Sequence, residues 1–66
     1  MIHKGYYTTI NSDLYFYVVP RYRGKEYIKC RIMLYYKHGI YKDTLVESKS
    51  YKIYKKNITH WIGYTK

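Results

Sequence analysis

The sequence predicts an all-β domain of antiparallel strands, and three observations carry that reading. Side-chain polarity alternates mostly with period two, as half-buried strands require. Tyr, Ile, Val and Thr, which suit a pleated surface, dominate the 66 residues, and twelve of them are tyrosine. Clusters of turn-forming residues separate the alternating runs, with no repeat, linker or low-complexity tract between them.

The first strand is expected over residues 2–10, ending at the turn formers Asn11-Ser12-Asp13. The second covers 14–19, with Leu14, Phe16 and Val18 on one face and Tyr15, Tyr17 and Val19 on the other. Pro20 is expected to close it, since proline donates nothing to a ladder. Arg21-Tyr22-Arg23-Gly24-Lys25 then reads as a hairpin loop, with Gly24 available for positive φ.

The third strand, 26–36, has the cleanest alternation. Ile28, Cys30, Ile32 and Leu34 fall on one face; Tyr27, Lys29, Arg31, Met33 and Tyr35 fall on the other. One face therefore belongs to a core and the other is basic and aromatic. Lys37-His38-Gly39 reads as a tight turn, 40–47 as a fourth strand, and Ser48-Lys49-Ser50 as a break. Over 51–64 the pattern fits a strand, a single turn at Asn57 and a short last strand; a C-terminal helix is the competing reading.

Five such strands in one small domain spanning 1–66 suggest a small SH3-like or OB-like barrel or an open meander sheet, with one short C-terminal helical turn. A chain of this size buries only about 60% of its unfolded surface, so it needs extra support. Cys30 is the only cysteine, which excludes an internal disulfide. The support is therefore aromatic: the twelve tyrosines, Phe16 and Trp61. A lone thiol reads as a buried small hydrophobe in a reducing compartment, so the expected location is cytoplasmic. No apolar run approaches the ~20 residues that span a bilayer.

Thirteen Lys and Arg oppose four Asp and Glu, giving a formal charge of +9. A field of that size on a small body attracts polyanions. Ten of the thirteen are lysine, a hydrated point charge suited to phosphate neutralisation more than to planar base reading. The chain has no alanine and no glutamine and is crowded with Tyr, Lys and Ile. Those three are encoded by A- and T-rich codons, which points to an AT-rich, phage-like or viral genome and hence to a host cytoplasm.

The candidate nucleic-acid-binding residues are Tyr15, Tyr17, Tyr27, Lys29, Arg31 and Tyr35 on the basic aromatic face, with Arg21, Tyr22, Arg23 and Lys25 in the loop. Alternating rings and cations stack bases and hold phosphates in single-strand binders. A third basic run, Lys49, Lys52, Lys55, Lys56 and Lys66, accompanies Tyr51, Tyr54 and Trp61. His3, His38, His60 and Cys30 lack the paired spacing of a metal site, and no cofactor motif is present. The carboxylates Asp13, Glu26, Asp43 and Glu47 are scattered, so no catalytic residues are assigned.

The expected function is thus binding, without catalysis, of DNA or RNA with weak sequence specificity. An alternative is a phage or viral inhibitor that covers an acidic surface of a host polymerase, nuclease or CRISPR effector, using Tyr and Arg as interface anchors. A homodimer that closes an open sheet is a third expectation.

Overall fold

The computed structural model describes residues 2–66. Five antiparallel strands form one sheet: β1 (Gly5–Thr8), β2 (Leu14–Arg23), β3 (Tyr27–Tyr36), β4 (Leu45–Tyr54) and β5 (Ile62–Gly63). Their order across the sheet is β4-β3-β2-β1-β5, a meander whose last strand returns to the outer edge of β1. A single 3₁₀ turn, Lys55–Asn57, links β4 to β5. The sheet is open: among the described residues β4 and β5 pair with no strand on their outer sides, so the barrel alternative is replaced by the meander. Extents of 40 × 21 × 15 Å leave room for one sheet with a layer of side chains on each face. Among the described residues, no helix is long and apolar enough to cross a membrane.

Face A carries the main core. Phe16 and Val18 of β2 lie opposite Leu34 and Ile32 of β3, and Ile28 and Cys30 extend the row. Trp61 meets Phe16 edge-on at 4.8 Å and Tyr7 at 5.9 Å, so the segment after the 3₁₀ turn covers this face. Ile2 joins the core from the other end. The Tyr7 phenol holds that N-terminal stretch, donating to the His3 carbonyl at 2.8 Å. A large apolar side chain fully buried in this way contributes about 1.5–3 kcal/mol. Cys30 is part of the core, and burial pushes its thiol pKa up.

Four local expectations are corrected. β1 stops at Thr8, because Thr9 to Ser12 form a turn with Asn11 at φ 64. Pro20 does not end β2. It lies past the last β1 pair, Gly5 with Val18, where β2 has a neighbour on one side only, and a bulge between Pro20 and Tyr22 absorbs the missing N–H. Arg21, Tyr22 and Arg23 are therefore strand, and the hairpin turns on Lys25-Glu26, closed by the Gly24 N–H donating to the Tyr27 carbonyl at 2.9 Å. Gly24 is not at positive φ; it is required because a Cβ there would lie 2.9 Å from both the Tyr22 ring and the Tyr27 carbonyl oxygen.

The fourth correction concerns β4. Residues 37–44 form a loop with Gly39 at φ 90 and Asp43 at φ 66, and Ile40 and Tyr41 are 91% and 61% exposed. Their apolar alternation imitates a strand but has no sheet to bury against. The strand begins only at Leu45 and runs unbroken through Ser48-Lys49-Ser50, whose backbone pairs with 31–33 of β3. Polar residues are tolerated there because β4 is an edge strand, where lysine also discourages pairing with another chain. The reading of 51–64 as strand, turn and short strand is borne out.

Candidate nucleic-acid interface

Face B is built by the other half of each alternation, and register decides which residues meet. Tyr15 lies opposite Tyr35, Tyr17 opposite Met33, Val19 opposite Arg31 and Tyr22 opposite Lys29. On the far side of β3, Arg31 meets Ser50, Lys29 meets Lys52 and Tyr27 meets Tyr54. The face divides into two regions of different character.

Near the β2–β3 hairpin, three rings cross three strands. Tyr22 and Tyr27 have centroids 5.9 Å apart, and Tyr27 and Tyr54 are 6.0 Å apart. Tyr22 and Tyr54 are 52% and 43% exposed, so each offers ring surface to a ligand. The Lys52 ammonium stands 4.4 Å from the Tyr27 centroid and 5.6 Å from that of Tyr54. Lys29 is exposed beside it, and exposed Arg31 is steadied by its Nε donating to Ser48 Oγ at 3.3 Å. Arg21, in the bulge, and Lys25, in the turn, are exposed at the same end. Among the described residues the only contact of a basic side chain with a carboxylate within 4 Å is His38 with Asp13, at 3.6 Å. None of these cations is neutralised by a carboxylate.

Toward the opposite end, face B is a second packed cluster. Tyr15 has no exposed surface. Its ring is stacked by Tyr64 at 4.5 Å and 13° and by Tyr35 at 5.3 Å and 18°. Tyr6 adds an edge at 5.9 Å and itself packs on half-buried Tyr17 at 4.7 Å. The Lys66 ammonium covers Tyr6, Tyr35 and Tyr15 at 5.3 to 5.8 Å. Tyr15 is thus an internal side chain, and Tyr17 and Tyr35 are partly covered by neighbours. The phenol of Tyr15 donates to Asp43, and its pKa is driven far above the ordinary tyrosine range by burial first and by that carboxylate second.

Arg23 leaves the interface altogether. The bulge puts it opposite Ile28, on face A, where its Nη1 donates to the Ile2 carbonyl at 2.6 Å. Of the ten residues singled out in sequence, Tyr22, Tyr27, Lys29 and Arg31 form one patch with Arg21 and Lys25 at its margin. Lys52 and Tyr54 complete the patch and belonged in sequence to a separate C-terminal run. The signal that joins them is the β3–β4 register, invisible while Ser48-Lys49-Ser50 reads as a break.

Among the described residues, no three His, Cys, Asp or Glu converge on a metal position. No protein-family model, curated protein or solved structure matches this chain.

Proposed function

We propose that this protein binds single-stranded nucleic acid on the Tyr22–Tyr27–Tyr54 end of face B. One observation carries the reading: exposed Tyr22 and Tyr54 flank half-buried Tyr27 at about 6 Å intervals, with the Lys52 ammonium over two of the rings and exposed Lys29 and Arg31 beside them, none paired with a carboxylate among the described residues. Rings stack on bases at about 1–3 kcal/mol per base regardless of sequence, and the cations neutralise the backbone. Stacking on the rings requires unpaired bases, which favours a single strand over a duplex. The patch has no Asn or Gln to read base edges, which supports weak sequence specificity. Binding, without chemistry, is the proposed activity.

The test is fluorescence anisotropy of labelled single-stranded DNA, single-stranded RNA and duplex DNA titrated with the protein. Tighter binding of the single strands than of the duplex, weakened by Tyr27→Ala and Lys52→Ala, is the expected result. No association with any strand at low salt would end the proposal.

A further inference from the structure

Face A holds a groove that the proposed interface does not touch. It measures about 600 Å³ and lies between the N-terminal stretch, the hairpin end of β2 and β3, and the segment following the 3₁₀ turn. Ile2, Tyr7, Ile28, Ile58 and Trp61 make its floor and walls apolar. The charged side chains on it are Arg23 and Lys55, and no carboxylate lines it among the described residues.

We infer that this groove binds a small amphipathic anion: an apolar body, aliphatic or aromatic, carrying one carboxylate or phosphate head. The volume lies within the usual range for small-molecule sites, and so does the lining, mostly apolar with few polar groups. Arg23 is placed for the head. Its hydrogen bond to the Ile2 carbonyl fixes the guanidinium at the groove, and its remaining donors make no hydrogen bond among the described residues. A guanidinium fork held in this way takes a carboxylate or phosphate through two parallel hydrogen bonds. Lys55 supplies a second, exposed charge from the 3₁₀ turn. Neither cation is paired with a carboxylate among the described residues, so both charges are available to an anionic head. The same charges oppose a cationic head. The site and its test are independent of the nucleic-acid reading, because Arg23 and Lys55 lie on the opposite face from Tyr27 and Lys52.

Trp61 is the only tryptophan and part of the groove wall, so its emission reports occupancy directly. The full chain is titrated with decanoate, decyl phosphate and decyltrimethylammonium, each below its micellar concentration. The expected result is a saturable change in Trp61 emission with at least one of the two anions and none with the cation. The tighter of the two anions identifies the head group. Lys55→Gln should weaken the anion about tenfold, the loss of one charge-assisted hydrogen bond, and Arg23→Gln, which removes the two-bond fork, by more than that. Lys55 is an exposed turn residue, so its variant tests the site even if Arg23→Gln disturbs folding. No saturable response to either anion would overturn the inference, as would an equal response to the cationic amphiphile. Anion affinity left unchanged by Lys55→Gln would also overturn it.

Discussion

The phenol of Tyr15 donates to the Asp43 carboxylate at 2.5 Å, joining the most buried ring on face B to the loop between β3 and β4. Asp43 sits at φ 66, a left-handed conformation that Asp tolerates better than most residues. The loop is also held by backbone bonds between Tyr36 and residues 43 and 44, and by the Lys37 N–H donating to the Asp13 carbonyl. Tyr15→Phe should keep the stacked rings, lose this tie and cost about 1–2 kcal/mol. Tyr15→Ala should cost about 3–5 kcal/mol, because it also leaves a cavity beneath Tyr64 and Tyr35. Urea midpoints of the two variants check both figures, and equal midpoints would mean that the rings contribute nothing.

Alkali should unfold the protein through two phenols. The pKa of Tyr15 is raised by burial and by Asp43, and that of Tyr51 by its hydrogen bond to Glu47 and then by burial. A folded pKa above the unfolded one gives stability that is whole below the unfolded value, near 10, and lost as pH rises beyond it. The two phenols therefore cost nothing below about pH 10 and destabilise above it, and the Cys30 thiol, also raised by burial, adds its own loss from about pH 9. Tyr15→Phe, compared with the parent protein at equal starting stability, should fall less steeply. Urea midpoints measured across the alkaline range decide this.

Gly24→Ala should destabilise the hairpin by about 1–3 kcal/mol. The added methyl would lie 2.9 Å from the Tyr27 carbonyl oxygen, a backbone atom that cannot rotate away, and 2.9 Å from the Tyr22 ring. Tyr22 is a candidate stacking ring, so the same change should loosen single-strand binding. Thermal unfolding followed by circular dichroism gives the first effect and an oligonucleotide titration the second.

Cys30 should resist thiol reagents until the sheet opens. It is buried against the face A core, and burial raises its pKa, so little thiolate forms. Labelling by a disulfide reagent should be slow in buffer and fast in denaturant. Fast labelling of the native protein would contradict the packing of β2 on β3.

How much of this was legible in the sequence differs by element. β3 was read to within one residue, because Ile28, Cys30 and Ile32 alternate strictly with Tyr27, Lys29 and Arg31, and one face is buried. The start of β4 was misplaced because Ile40 and Tyr41 alternate like a strand while lying in an exposed loop; the register of an edge strand is fixed by its neighbour, not by its own pattern. The interface was half legible. A period-two pattern gives the shared face of Tyr27, Lys29 and Arg31, but the join to Lys52 and Tyr54 depends on pairing between residues more than twenty apart. The burial of Tyr15 was hidden for a similar reason. Tyr64 and Lys66 cover it from the far end of the chain, and a tyrosine under such a cover looks in sequence like one facing water.

The central claim is that the cations of one face, and not the overall charge, hold a single strand. The most direct measurement is the salt dependence of single-strand affinity for two triple variants with the same net charge. One is Lys29→Gln, Arg31→Gln and Lys52→Gln, within the Tyr22–Tyr27–Tyr54 patch. The other is Lys42→Gln, Lys49→Gln and Lys56→Gln, all exposed and outside it. A single strand contributes about 0.7 to the log–log slope for each neutralised phosphate. The patch variant should therefore lose about 2 from the slope and most of its affinity, while the other stays close to the parent protein. Equal losses in the two variants would contradict the account and leave only a diffuse attraction between a basic protein and a polyanion.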